Sequence, residues 1–411
     1  MLLIQPARSS QPSASRIGLA VAGGGPIGGM YELGALRALE RAIIGLRLSD
    51  LDVYVGVSSG AFLTAGLANR MSASDMCRVF LAADGGKDDV RFRPEAFLRP
   101  AFAEYVRRAA GLPNVLLNWW LELFKHPIDV RLGDLVGRLG GLVPTGLFDN
   151  EAIEHFLRET FTQKGRSNDF RELGRKLFVI AVELDSGETV RFGGAGWDDV
   201  PISQAIQASS ALPGLYTPVE IRGRHFVDGA LRRTMHASVA LDQGIDLLIG
   251  INPLVPFDAS GERLGEMPER LVRGGLPAVL SQTIRAMLQS RVEVGLAKYA
   301  QRYPDTDQIV VEPNADDAEM FFTNVFSYSS RQRVSEHAYA ATLADLGRRR
   351  EQLAPLLARH GLELDEAILD QAEPAMMASL EAPPRGGTDS TARLRRTLDD
   401  LDAHLRGLAT S

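Results

Sequence analysis

The chain has 411 residues, of which 45% are hydrophobic and 24% are charged, and this balance is typical of a folded protein with a substantial core. A formal net charge of −7 gives no overall indication of a nucleic-acid partner. The single cysteine, Cys77, excludes an intramolecular disulfide framework and fits a reducing compartment.

The first 15 residues predict a flexible tail rather than a signal peptide. Only four apolar residues open the chain, whereas a signal peptide needs an apolar core of about 7–15, and the following residues are rich in Ser, Gln and Pro. The longest strongly apolar stretch elsewhere, residues 112–124, is shorter than the roughly 20 residues of a transmembrane helix. We therefore expect a cytoplasmic protein that is soluble or peripherally bound to a membrane.

Two strand–turn–helix units follow the tail. They comprise a buried strand at 17–22, a glycine-rich loop at 23–29, a helix at 31–46, a second strand at 53–57 and a helix at 59–67. Two such units in succession favour a parallel sheet covered by helices, so the expected fold class is α/β.

Later elements are predicted from shorter signals. Apolar runs indicate strands at 177–184, 246–251 and 308–311, with a hairpin at 219–227. Residues from about 71 to 150 carry no strand signal and are expected to be helical and rich in loops. Beyond about residue 315 only helices are predicted.

These elements divide the chain into five expected parts. They are a flexible tail at 1–15, an α/β domain at 16–314 with a helical insertion at about 71–150, a helical extension at 315–382, a linker at 383–393, and a terminal amphipathic helix at 394–411. Leucines at helical spacing between 394 and 405 predict association with a partner or self-association, although the stripe is too short to indicate a coiled coil.

The loop GGGPIGG at residues 23–29 is a candidate anion site. Small residues allow backbone N–H groups to converge on an anion at the start of the following helix, and Gly24 and Gly25 are the expected donors. Pro26 has no N–H and is expected to begin that helix.

The same loop fits a second pattern. Gly23, Gly25 and Gly28 match the spacing of a dinucleotide-binding fingerprint, which also needs an acidic residue about 20 positions further on, at the end of a second strand. Here the second strand ends in GVSSG instead. A purely structural tight turn is the third interpretation.

The sequence GVSSG, residues 56–60, follows the second predicted strand. Gly56 and Gly60 flank Ser58 as in a strand-to-helix turn that presents a serine hydroxyl. A serine is a poor nucleophile without a base, and its transition state needs donors for the oxyanion. The N–H of Ser59 is a further expected donor.

Two kinds of base are candidates for this serine. Among the seven histidines, His236 and His337 fit the chain order of the α/β-hydrolase triad, although neither ends a short apolar strand. Asp228 does end such a run, and Gly229 and Ala230 follow it. The alternative interpretation of Asp228 is a turn aspartate.

Together these motifs resemble those of the patatin-like phospholipases. The loop at 23–28 is similar to the family's oxyanion loop, GVSSG to its nucleophile turn, and DGA at 228–230 to its Asp-Gly-Ala motif. ELDSGE at 183–188 and ASSALPG at 208–214 resemble two supporting blocks. All five occur in the family's order, between about residues 17 and 260.

The resemblance implies a three-layer α/β/α fold with a mainly parallel sheet, and a Ser58–Asp228 dyad that needs no cofactor and no metal. Ser58 would attack an ester carbonyl and Asp228 would act as general base. The implied activity is hydrolysis of acyl esters of lipids, of phospholipase A, lysophospholipase or lipid esterase type. The rival functions are a Ser-His-Asp esterase or peptidase and a non-catalytic lipid-binding or scaffold protein.

Two features lie outside this pattern. Ile27 stands where many members carry Arg or Lys, so a neutral ester is as compatible with the loop as a phospholipid. LPNVLLNWWLELF at 112–124, within a locally basic stretch, is expected to contact a membrane peripherally, and its alternative interpretation is a helix that covers the sheet.

Overall fold

The computed structural model describes residues 1–8, 15–81, 99–102, 105–106, 144–258, 272–317, 328–371 and 375–381. Several predictions fall outside these residues: the membrane contact at 112–124, most of the insertion at 71–150, the linker at 383–393, and the self-associating helix at 394–411. His126 and His404 also lie outside them.

The described residues contain thirteen strands, nine of which form one sheet. The strands are β1 (Leu2–Gln5), β2 (Ile17–Val21), β3 (Ile43–Ile44), β4 (Val53–Val57), β5 (Gly146–Phe148), β6 (Lys176–Glu183), β7 (Thr189–Phe192), β8 (Gly214–Tyr216), β9 (Val219–Ile221), β10 (Arg224–Asp228), β11 (Leu247–Ile251), β12 (Asp307–Val311) and β13 (Glu363–Leu364).

The main sheet has the order β1-β12-β11-β2-β4-β6-β10-β9, and β7 pairs with β6 beside this path. Strands β12, β11, β2, β4 and β6 are parallel, whereas β1 is antiparallel to β12, and β7 and β10 are antiparallel to β6. Parallel strands end at one edge of the sheet, so the loops after β2 and β4 meet there.

The described ranges contain eleven α-helices, which flank the sheet. They are α1 (Gly25–Ala42), α2 (Ser59–Ala68), α3 (Ala73–Leu81), α4 (Glu151–Phe161), α5 (Ile202–Ser209), α6 (Ser238–Leu241), α7 (Gly275–Arg302), α8 (Tyr328–Arg348), α9 (Arg350–Ala358), α10 (Glu366–Leu369) and α11 (Met376–Glu381). None of the helices in these parts of the chain combines the length and the apolar character needed to cross a membrane.

The sheet lies between two apolar layers. Its central strands are almost entirely buried, as parallel strands covered on both faces should be. One face packs against α1 and α2 through residues such as Leu33, Leu36 and Leu63, and the other packs against Met235 and the α6 residue Val239. The predicted α/β class, with helices on both faces of a mainly parallel sheet, is confirmed.

The N-terminus differs from the predicted flexible tail. Residues Leu2–Gln5 form β1, which pairs with β12 so that Leu2 lies opposite Val311 and Gln5 opposite Gln308. Leu2 is fully buried. The apolar residues that are too few for a signal peptide are sufficient for an edge strand, and a run of four is too short to show a strand period by itself.

Five further short strands lie where the sequence predicts none: β3, β5, β7, β8 and β13. The helix predicted at 31–46 therefore ends at Ala42, where β3 begins. β13 corrects the expectation of helices alone beyond residue 315, since it pairs antiparallel with β3 at the end of α1. Strands of two to four residues are fixed by their neighbours in space more than by their own sequence, and this explains why local patterns do not indicate them.

The helices beyond residue 315 share the core of the sheet domain. Helix α8 lies against α1, and Gly34 permits the close approach, because a Cβ there would lie only 2.2 Å from the carbonyl oxygen of Ser335. The Ser335 hydroxyl also donates to the carbonyl of Met30, at 2.9 Å. The predicted extension is therefore packed on the first helix of the fold.

A polar cluster closes the amino-terminal edge of the parallel strands, at Asp307 in β12. One carboxylate oxygen of this buried residue accepts from Arg359 at 2.5 Å and from the N–H of Ala7 at 2.7 Å. The other oxygen lies 2.8 Å from Nε2 of His360, whose Nδ1 lies 2.6 Å from the hydroxyl of Ser15. We call these five residues the Asp307 clasp, since they join both ends of the described chain to the sheet.

Replacing Asp307 with alanine is expected to lower the free energy of unfolding by about 3–5 kcal/mol, because two basic side chains and a backbone N–H lose a buried partner. Urea unfolding of both proteins measures this difference. Asp370→Ala is the matched control, since it removes one exposed partner of Arg350 and should cost below ~1 kcal/mol. Equal losses in the two variants would contradict a structural role for the clasp.

Candidate active site

Ser58 occupies a sharp turn between β4 and α2. Its backbone has φ 50° and ψ −122°, a conformation that residues other than glycine rarely adopt. The N–H of Ser58 donates to the Ser209 hydroxyl at 2.9 Å, and that hydroxyl donates to the carbonyl of Ile180 at 2.5 Å. Neighbouring elements thus hold the strained turn in place, with the serine 6% exposed at the carboxyl edge of the sheet.

The glycine at position 60 is required by packing. Helix α2 runs so close to β2 that a Cβ on Gly60 would lie 2.4 Å from the carbonyl oxygen of Val21 and 2.5 Å from that of Ala22. At the other end of the turn, a Cβ on Gly56 would lie 2.1 Å from the Thr64 hydroxyl. The predicted turn motif therefore has a direct steric cause at both of its glycines.

Asp228 ends β10 and lies beside this turn. Its Oδ1 accepts from the N–H of Ala230 at 2.8 Å, and the Ser58 side chain lies near enough to lower the pKa of this carboxyl. The side chain is almost completely buried. Burial raises the pKa of Asp228 to about 6, and the hydrogen bond from Ala230 and the Ser58 side chain oppose this rise. The group is ionised at neutral pH but holds a proton far better than an exposed aspartate.

The glycine loop meets both residues. A Cβ on Gly23 would lie 2.9 Å from the Cβ of Ser58 and 3.0 Å from that of Ala230, so the three predicted motifs converge on one place. Gly229 is also close to the sheet, since its Cβ would lie 2.3 Å from the carbonyl oxygen of Ile180. Gly28 packs against Pro253 in the loop after β11.

The three predicted oxyanion donors differ in what they already bind. The N–H of Gly24 donates to the Ser59 hydroxyl at 2.9 Å, so it is satisfied before any ligand arrives. Gly25 begins α1 and Ser59 begins α2, positions whose N–H groups have no acceptor within their own helix. Gly25 has φ +60° and open space on the side where a Cβ would stand. Gly25 and Ser59 are therefore the better placed donors.

Glu32 is a member of the site that the sequence did not indicate. This α1 residue is fully buried, and the Ser59 hydroxyl donates to its Oε1 at 3.2 Å. Its Oε2 has no hydrogen-bond partner within the described residues. Burial raises the pKa of Glu32 well above its ordinary value, which favours the neutral acid. Its only sequence signal is a charged residue in the apolar part of a predicted helix.

The two candidate histidines, His236 and His337, have a backbone carbonyl and an aspartate as hydrogen-bond partners. Nε2 of His236 lies 3.2 Å from the carbonyl oxygen of Gly229, and burial lowers the pKa of this imidazole to about 4, so it is neutral and donates there. Nε2 of His337 lies 2.6 Å from Asp317. Of the others that are described, His155 faces Glu159, His225 is exposed and His360 belongs to the Asp307 clasp.

Comparison with known proteins relates these motifs to one family. A family model described as "Patatin-like phospholipase" matches residues 19–241, which is more than half of the chain. The match contains the glycine loop, the GVSSG turn and the Asp228 motif.

Several solved structures are also similar. VipD from Legionella pneumophila has 16% identity and a TM-score of 0.36, with 89% of this chain and 71% of that one covered. Human GIVD cytosolic phospholipase A2, bound to methyl gamma-linolenyl fluorophosphonate, has 11% identity, a TM-score of 0.33 and coverages of 84% and 60%. ExoU from Pseudomonas aeruginosa, in complex with SpcU, has 15% identity, a TM-score of 0.27 and coverages of 90% and 68%. All three TM-scores lie below 0.5, so these likenesses add nothing to what the site's own geometry provides.

Proposed function

The chain belongs to the patatin-like phospholipase family, and from this premise we propose that it hydrolyses acyl esters of lipids with Ser58 as nucleophile and Asp228 as general base. One observation carries the assignment of these residues: Ser58 lies at the glycine loop beside the turn of Asp228, a buried carboxyl group whose pKa burial raises to about 6. Such a base is free of its proton at neutral pH and is still basic enough to accept one from the attacking serine.

In the proposed reaction, Ser58 Oγ attacks the acyl carbonyl carbon while its proton passes to Asp228. The N–H groups of Gly25 and Ser59 stabilise the oxyanion that forms. Asp228 then gives the proton to the leaving alcohol as the carbon–oxygen bond breaks, and Ser58 is left acylated. Water attacks the acyl group with Asp228 again as base, which releases the fatty acid and restores both residues.

A mechanism through histidine is the weaker alternative. His236 donates to a backbone carbonyl and its low pKa makes it a poor proton acceptor, while His337 is engaged by Asp317. The recorded contacts of the two rings are with Gly229 and Asp317, and neither contact brings a ring to Ser58. Asp228, in contrast, already lies beside the Ser58 turn.

The direct test is the site of covalent modification by a fluorophosphonate. The wild-type protein is treated with the probe, digested, and analysed by mass spectrometry, while a p-nitrophenyl ester and phospholipid vesicles serve as substrates. We expect one adduct, on Ser58, and hydrolysis of at least one substrate. An adduct on any other residue would overturn the assignment, and no adduct with no turnover would favour the non-catalytic lipid-binding function.

Glu32 offers a separate prediction. Glu32→Leu removes the acceptor of the Ser59 hydroxyl, which in turn accepts from Gly24, and we expect kcat to fall about 5- to 10-fold with little change in KM, as the loss of one hydrogen bond implies. Glu32→Gln keeps an acceptor oxygen and should restore most of this loss. Burst titration corrects both variants for the active fraction. A Gln variant as poor as Leu would contradict the positioning role.

A further inference from the structure

A basic cleft adjoins the Asp228 turn. It has a volume of about 460 Å³ and is lined by Val182, Gly187, Leu231, Arg232, Arg233 and Arg291. Residues 231–233 directly follow the Asp228–Ala230 turn, and Val182 is paired with Val227 next to Asp228 in the sheet. A group bound in this cleft is therefore one short loop away from the proposed general base.

The three arginines of the cleft donate to neutral groups. Arg232 donates to the carbonyl of Gly187, Arg291 to that of Leu231 at 3.1 Å, and Arg233 to the Ser238 hydroxyl at 3.4 Å. These acceptors are neutral, and no ion pair joins any of the three to a carboxylate within the described residues. The nearby arginines 222 and 224, in contrast, are paired with Asp199 and Glu183.

A second observation agrees on the sign of the field. After burial and a hydrogen bond, the causes that act on the pKa of His236 are the charges of Arg233, Arg191 and Arg232, all of which lower it. Arg191 is exposed on β7, beside the same loop. Three arginines thus line the cleft, and Arg191 is a further cation near His236, in a protein whose net charge is −7.

Helix α7, which contributes Arg291 to the cleft, also carries an exposed apolar surface. Leu280, Ile284, Met287 and Val294 are exposed by 49%, 45%, 55% and 52%, and they share one helical stripe with Arg291, at steps of three and four residues. A free phosphate ion has no apolar part that could contact such a surface. A lipid offers both an anionic head and apolar chains.

We propose that this cleft binds the phosphate of an anionic phospholipid substrate, a proposal that rests on the function proposed for Ser58. A guanidinium presents donors in a planar fork that matches phosphate oxygens, and each of these arginines uses only part of that capacity on a neutral acceptor. The glycine loop has no cation of its own, so the phosphate partner comes from residues 232, 233 and 291. The cleft makes the enzyme select phosphatidylglycerol-type lipids over uncharged esters.

The test compares wild type with an Arg232→Gln, Arg233→Gln double variant. Both are assayed with phosphatidylglycerol vesicles and with p-nitrophenyl butyrate, which has no phosphate. We expect the ratio of kcat/KM for phospholipid to that for ester to fall 10- to 100-fold, mainly through KM, as the loss of charge-assisted hydrogen bonds implies. The matched control, Arg171→Gln with Arg175→Gln, removes the same charge at two exposed ion pairs and should leave the ratio unchanged.

Two further arms make the outcome decisive. Inorganic phosphate that inhibits vesicle hydrolysis by wild type but not by the double variant would mark a site for phosphate as such, and inhibition of neither would assign the cleft to the lipid-bound group. Co-sedimentation with phosphatidylglycerol and phosphatidylcholine vesicles is measured as well, so a protein without turnover still reports binding. If the double variant keeps both the wild-type ratio and the wild-type vesicle binding, the proposed phosphate site is wrong. If the wild-type protein shows no turnover but binds phosphatidylglycerol vesicles selectively, only the proposed Ser58 chemistry is wrong.

Discussion

Replacing Ser58 with alanine is expected to lower the turnover of a p-nitrophenyl ester by about 10⁶-fold and to abolish fluorophosphonate labelling, because the attacking oxygen is removed. Alanine keeps the Cβ that already stands in the strained turn with φ 50°, so the backbone has no new reason to change. The loss should therefore appear in the chemical step while the folded structure is retained. Steady-state kinetics, intact-mass analysis after labelling and circular dichroism measure the three quantities.

Ser210 provides a matched control for this variant. It is buried close to the Ser209 that supports the turn, and its hydroxyl has no hydrogen-bond partner among the described residues. Ser210→Ala should therefore leave turnover and labelling close to those of wild type. Labelling that survives in Ser58→Ala would show that another residue is the nucleophile.

Replacing Asp228 with asparagine is expected to lower kcat/KM by about 10³- to 10⁴-fold, since an amide cannot take the serine proton. The amide oxygen can still accept from the N–H of Ala230, so the turn should keep its shape. Asp185→Asn, on the exposed loop after β6, is the control for loss of a carboxylate without loss of the base. A variant that keeps wild-type turnover would remove Asp228 from the mechanism.

The pH dependence separates this role from a purely structural one. Because burial raises the pKa of Asp228 to about 6, wild-type kcat/KM should rise with pH and reach half its plateau near pH 6. Below this value the carboxyl is protonated and cannot act as base. The residual activity of Asp228→Asn should lack this limb.

The contribution of Asp228 to the free energy of unfolding should fall as pH rises, whereas kcat/KM should increase. The folded-state pKa of about 6 lies above the ordinary 3.8, so the folded protein holds this proton more tightly, and the advantage present below pH ~4 is lost as pH rises through about 6. Asparagine carries no charge to bury. Asp228→Asn should therefore be more stable than wild type above pH 6, by up to about 3 kcal/mol, and this difference should vanish near pH 4. Chemical denaturation at pH 4 and pH 8 tests both signs.

The parts of the site that were predictable are those with local signatures. Ser58 follows a five-residue buried strand and Asp228 ends a strand whose last three residues are buried, and both strands have apolar runs that local patterns identify. Their packing requires small neighbours, such as Gly60, that leave a mark in the sequence. The resemblance to a family then joined two motifs that are 170 positions apart, which spacing alone does not do.

The parts that were missed depend on which residues meet in space. Glu32 looks like any charged position of a helix until α1 is placed over the nucleophile turn. Arg291 lies in a helix that no pattern indicated, so its approach to Leu231 was not predictable. The sequence pattern predicts Gly24 as an oxyanion donor. It does not show that the N–H of Gly24 already donates to the Ser59 hydroxyl.

A chain of hydrogen bonds can also resemble a catalytic site where none is proposed. Ser15, His360 and Asp307 lie in hydrogen-bonding sequence like a hydrolase triad. They are at the amino-terminal edge of the parallel strands, away from Ser58, and Asp307 is also engaged by Arg359. Because the Asp307 carboxylate also accepts from Arg359 and from the N–H of Ala7, we interpret these residues as a structural cluster rather than a catalytic triad.

The edge strand Leu2–Gln5 also bears on solubility. It covers β12, whose backbone would otherwise present unpaired N–H and C=O groups along five residues of an apolar strand. An uncovered edge of this kind is a template on which another chain can add a strand, the first step of ordered aggregation. Any shortened version of the protein that begins after residue 5 would expose this template, so a truncation meant to tidy a supposed tail would favour intermolecular association instead.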